Sequence, residues 1–194
     1  MNYGLPTSIN IDGVDHAIRY DFRAVLDVFE ALNAPDLELW ERVYAALQIF
    51  YVDFDDIQDM NTAIRECFKF INGGKEEQPQ KKQPKLIDWE QDFQYIVAPV
   101  NRILGTEVRS IPYDDETNTG GLHWWTFLSA YIEIGECFFA EVVRIRDLKA
   151  RGKALDKSDK EFYRKNREVI DIKTHYTETE NDLVSAWTSR KEVK

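Results

Sequence analysis

Only two cysteines, nine glycines and six prolines occur among the 194 residues. Two thiols cannot build the disulfide framework of a small secreted domain, so a reducing compartment is expected. Cys67 and Cys137 each lie in an apolar, helix-like stretch and are expected to be buried as small hydrophobes. No run of about 18 apolar residues is present, so no membrane span is expected; no membrane partner is expected either. No positively charged start precedes an apolar run, so no signal peptide is expected. Basic residues are the minority, 25 against 35 acidic, for a net charge of −10. Phosphate affinity comes from Lys and Arg, which makes so acidic a chain a poor nucleic-acid binder. His16, His123 and His175 fall in separate segments, without the spacing of a zinc site. Glycine-rich phosphate loops and nucleophile elbows are also missing. Asp55/Asp56 and Asp114/Asp115 are adjacent acids, but both pairs lie in turn-like polar runs. The expectation is therefore no catalytic residue, no metal, no cofactor and no enzyme.

The elements that are present read as mainly α: about six to seven helices with a small N-terminal β-hairpin. Ser8–Ile11 and Val14–Ile18 alternate around Asp12-Gly13, a strong signal for a two-residue turn with positive φ. Asp21 is a good N-cap for a helix with Phe22, Val25, Leu26, Phe29 and Leu32 on one face. Asp36 is expected to cap a second helix whose apolar face is Leu39, Trp40, Val43, Leu47 and Phe50. A third helix runs from about Met60 to Ile71 and stops at Asn72-Gly73-Gly74. Residues 73–87 read as a flexible linker with little apolar area to bury. Asp88 caps the next helix, which Pro99 should kink or break and Gly105 should end. Residues 106–121 read as irregular, followed by an apolar helix from Leu122 to about Ile134 and another from about Cys137 to Lys149. Ser158 is expected to cap a last helix to about Ile172, and 173–194 form a polar tail. The organisation is thus 1–72, a linker, and 88–172, the two helical parts forming one unit.

Charge is unevenly placed. Residues 1–141 hold 25 acidic and 11 basic side chains, a net −14, whereas 142–194 hold 10 and 14, a net +4. Such asymmetry suits a head-to-tail contact between copies, because complementary patches steer association. Arg144, Arg146, Lys149, Arg151, Arg164, Lys165 and Arg167 are the candidate interface residues of the basic end. The basic stretch with interleaved aromatics also resembles a nucleic-acid reader, a reading opposed by the acidic remainder. Trp124 and Trp125 are adjacent, so both are buried only if the helix is covered over a wide arc. Core anchors are one reading; a partner surface for one ring is the other.

Several blocks occur in the order found in one family. Leu5-Pro6, Ile11-Asp12-Gly13 and Asp21-Phe22-Arg23 open the chain, and Asp88-Trp89-Glu90-Gln91-Asp92 with Tyr95-Ile96 follows. Next come Leu122-His123-Trp124-Trp125 with Phe127, Arg144-Ile145-Arg146, and Lys160-Glu161-Phe162-Tyr163-Arg164-Lys165-Asn166-Arg167. Over roughly 5–172 the chain resembles the bacteriophage gene-product-fifteen family, with His-Trp-Trp the most specific block. The resemblance implies a non-enzymatic tail assembly chaperone of long-tailed phages, encoded beside the tape-measure protein. Its implied partners are the tape-measure protein and further copies of itself. The implied location is the host cytoplasm during assembly, with absence from the mature virion. A minor structural component of the tail is the alternative, and a basic-helix nucleic-acid regulator the second.

Overall fold

A computed structural model describes residues 4–76 and 84–173. The expectations for the middle of the linker and for the tail after Lys173 lie outside these residues. Strands β1 (Ser8–Ile11) and β2 (Val14–Ala17) pair antiparallel, with Ile11 opposite Val14. Asp12 and Gly13 take φ of 52° and 88°, as the two-residue turn requires. Eight helices follow among the described residues: α1 (Phe22–Asn33), α2 (Leu39–Phe50), α3 (Met60–Ile71), α4 (Trp89–Leu104), α5 (Trp124–Ile132), α6 (Phe138–Ala150), α7 (Lys157–Lys165) and α8 (Arg167–Ile170). The molecule is mainly helical with a small N-terminal hairpin.

The hairpin does not stand alone. Val52 N donates to Ala17 O and Arg19 N to Phe50 O, which ties β2 to the end of α2. The Arg19 guanidinium donates to the carbonyls of Gln48, Ile49 and Tyr51, carbonyls at the end of α2 that the helix itself leaves short of donors. α1 packs most extensively on α2, and α4 packs on α1, α5 and α6. The core is continuous across both sides of the linker: Phe22, Phe50, Ile96, Phe127 and Ile145 all belong to it. Trp124 sits near its middle, its ring within 6.0 Å of Phe29, Trp89 and Phe127.

Four local expectations need correction. The cap of α2 is Glu38, not Asp36, because Glu38 and Glu41 form a reciprocal capping box. The last helix is capped by Asp156 rather than Ser158, again through a reciprocal box with Asp159, and it divides at Asn166 into α7 and α8. Pro99 does not break α4, which continues to Leu104 with the Pro99 ring buried. Residues 106–121 are not wholly irregular. A 3-10 turn at Val108–Ser110 leads into a second hairpin, β3 (Tyr113–Asp114) and β4 (Thr119–Gly120). Of the two thiols, Cys67 is buried and its pKa is pushed up to about 12 by burial. Cys137 is only half-buried and serves as the N-cap of α6.

Candidate interaction surfaces

The His123-Trp124-Trp125 block is a clamp made of local capping and distant bonds. His123 is the N-cap of α5, its Nδ1 accepting from Trp125 N at 3.0 Å. Its Nε2 lies 2.9 Å from Pro6 O. Both contacts are satisfied only by the neutral tautomer with hydrogen on Nε2. The indole N–H of Trp124 donates to Ile71 O and that of Trp125 to Phe70 O, both at 2.8 Å. These are last-turn carbonyls of α3, where the helix's own donors run out. Gly74 closes the same helix by donating to Lys69 O, and a Cβ there would lie 3.0 Å from the Trp125 ring.

Beside this clamp, the Asp21 carboxylate is fully buried. It accepts from Arg23 N and Nε and from Leu122 N, at 2.9, 2.7 and 2.6 Å. Gly121 must be glycine here, since a Cβ would overlap Asp21 Oδ2 and its φ is 79°.

Burial lowers the His123 pKa below its ordinary value of 6.5. The unfolded chain therefore takes up this proton more readily than the folded one. The contribution of His123 to stability is expected to be constant above about pH 6.5 and to fall as pH drops below it, through the depressed folded value. An asparagine at this position would still cap α5 but could not titrate. Thermal melts should show that the His123→Asn variant loses part of the wild-type slope between about pH 5 and 7. An unchanged slope would remove His123 from the acid response.

The structure divides the nine sequence-predicted interface residues. Trp124, 1% exposed, and Arg146, 5% exposed, are interior residues. Arg146 donates to Asp92 Oδ2 and Oδ1 at 2.6 and 2.9 Å and to the carbonyls of Leu86, Val169 and Ile170. Its basic sequence neighbours suggest a surface, but its partners lie up to 60 positions away. Trp125 is half-buried, between the clamp and the surface. Arg144, Lys149, Arg151, Arg164, Lys165 and Arg167 are exposed. Most of their charge is matched within the chain. Arg144 pairs with Glu141 and Asp159, Lys149 and Arg167 with Asp171, Arg151 with Asp147, and Lys165 with Glu161. Lys149 also lies 3.9 Å from the centroid of the Tyr163 ring. Arg164 has no ion-pair partner among the described residues.

A second surface escapes sequence reasoning. Leu39 is 75% and Trp40 68% exposed, and Tyr44, one turn on, is also exposed. Full burial on α2 begins only at Ala46; in the first two turns Val43 packs against the core while Leu39, Trp40 and Tyr44 stay exposed. Asp36, Glu38, Asp55 and Asp56 are exposed nearby in sequence. The later start at Leu39, set by the Glu38–Glu41 capping box, is the one available signal. A third feature is a groove of about 210 Å³ between α1 and α4, with Leu26, Phe29, Trp89 and Phe93 among its lining and Asp27, Glu30 and Glu90 beside them.

Among the described residues no group of three or more His, Cys, Asp or Glu side chains could hold a metal ion, and no helix is long and apolar enough to cross a membrane.

The sequence model of the family described as Bacteriophage Gp15 protein matches residues 1–172. No curated protein and no solved structure matches the chain. The family match covers most of the 194 residues, and the chain belongs to the bacteriophage Gp15 family.

Proposed function

We propose that this bacteriophage Gp15 family protein is a non-enzymatic tail assembly chaperone that binds the tape-measure protein and self-associates while tails are built. The observation that carries the partner half of this reading is the face of α2. Trp40 and Leu39 are the two most exposed large apolar side chains of that helix, and Trp40, at 68%, is more exposed than the other exposed aromatic rings, Tyr44 and Phe138. A wet tryptophan with a tyrosine one turn on is the composition of a binding hot spot, and Leu39 adds apolar area beside it. A long helical partner with an apolar stripe would bury it, in the helix-on-surface mode common to such recognition. The acids near α2 favour a stripe flanked by Lys and Arg.

In this reading the protein acts in the host cytoplasm before tails are complete and is left out of the virion. Co-expression with the tape-measure protein tests it. The two should co-purify, and Trp40→Ala with Leu39→Ser should weaken the complex by about 2 kcal/mol, some thirty-fold in Kd. The melting temperature should be nearly unchanged, because neither side chain is in the core. Failure of the intact chain to co-purify would overturn the reading. Mass spectrometry finding it in purified virions would make it a tail component instead.

A further inference from the structure

We propose that the groove between α1 and α4 seats α7 of a second copy of this chain, so that copies join head to tail. This rests on the self-association in the reading above and names the surfaces that carry it.

The groove has two chemical parts. Its floor is apolar and aromatic: the Phe29 and Trp89 rings stack with centroids 5.9 Å apart, and Phe93 and Leu26 continue it. Its edge on α1 carries Asp27 and Glu30, three positions apart and both exposed. Neither has a cation within ion-pair distance among the described residues. The Asp27 pKa is raised from its ordinary value, first by partial desolvation and then by the Glu30 charge. A groove of this size admits one or two long side chains with an apolar stem and a cationic head.

α7 presents that chemistry. Lys157, Lys160 and Arg164 are spaced i, i+3, i+7, so they share one helical face, and all three are exposed. None has an ion-pair partner among the described residues, whereas Arg144, Lys149, Lys165 and Arg167 do. Among the described residues of the basic end, Lys153 and Lys173 are also without an ion pair, but only these three unpaired cations share one helix face, as a stripe. Among the described residues the stripe and the acidic edge make no ion pair within one chain, so each is left for another molecule. Lys and Arg stems lie along apolar surface while their heads stay at its edge, and a cation over the Trp89 face gains further attraction. The two surfaces differ, so the contact is heterologous and repeats as a ring or an open helix.

Sedimentation velocity on the full chain tests this. Asp27→Lys with Glu30→Lys should weaken self-association by about tenfold or more, and Lys160→Glu with Arg164→Glu should do the same. The variant carrying all four changes restores opposite charges across the contact and should recover most of the association. All four side chains are exposed, so melts should stay close to wild type. Two single-sided variants that associate like wild type would overturn the proposal and leave the chaperone reading standing. A four-fold variant no better than its parents would also overturn it. Loss of tape-measure co-purification with self-association intact would hand the groove to the partner and overturn it too. A wild-type chain that stays monomeric would overturn both the proposal and the self-association half of the reading, while tape-measure binding keeps its own test.

Discussion

Replacing Arg146 by methionine is expected to lower the unfolding free energy by about 3–5 kcal/mol, read by denaturant melts. The pair with Asp92 is almost wholly buried, 4% and 0% exposed at the side chains. Removing the guanidinium leaves Asp92 as an uncompensated interior charge, which is the costly way to break a buried pair. It also strips donors from the carbonyls of Leu86, Val169 and Ile170. Those carbonyls come from the segment before α4 and from the end of α8, so one side chain fastens α6 to two other stretches. Adding Asp92→Leu removes the stranded charge but not the stranded carbonyls, and Asp88 N loses its acceptor as well. The double variant is therefore expected to regain less than half of the loss. Full recovery would mean that the carbonyls find water and that the pair contributes little beyond its own charge. The same geometry forbids using Arg146 in charge-reversal tests of association, because such a variant would report folding instead.

The second large effect is expected at Trp124. Truncation to alanine opens a cavity beside Phe29, Trp89 and Phe127 and should cost about 3–5 kcal/mol. Trp124→Phe separates the two contributions. It refills most of the volume but cannot donate to Ile71 O, so its loss should be about 1–2 kcal/mol, the size of one hydrogen bond plus a small void. Trp125→Ala should cost less than Trp124→Ala, since Trp125 is already partly exposed. Equal losses at the two positions would mean that the Trp124 ring contributes no more packing than its half-buried neighbour.

What can be read from the sequence is local. The Asp12-Gly13 turn, the Asp21 and Asp88 caps and the Gly105 stop each need only their neighbours, and each stands where the sequence places it. What cannot be read is covering and pairing. The periodicity of α2 marks Leu39 and Trp40 as apolar, but cannot say that they stay exposed among the described residues. Arg146 sits in a basic run like an exposed residue, and its Asp92 partner is 54 positions away, beyond any helical spacing. The caps of α2 and α7 differ by two positions each from the sequence expectation because several acids and hydroxyls compete there, and the reciprocal box decides. Membership of the family is legible in the His-Trp-Trp block; its role as a clamp on α3 is not, since Ile71 and Phe70 are over 50 positions upstream.

That clamp has a consequence in time. His123 reaches Pro6, Leu122 reaches Asp21 and Asn118 reaches Ile18, separations of 117, 101 and 100 positions. A ribosome adds about 5–20 residues per second. The hairpin therefore waits roughly 5–20 seconds, and α3 about half as long, before the segment that closes over them exists. Through that interval the apolar surface around Phe70 and Ile71 is wet, and a nascent chain stalled before Leu122 is a natural client for the host's own holdases.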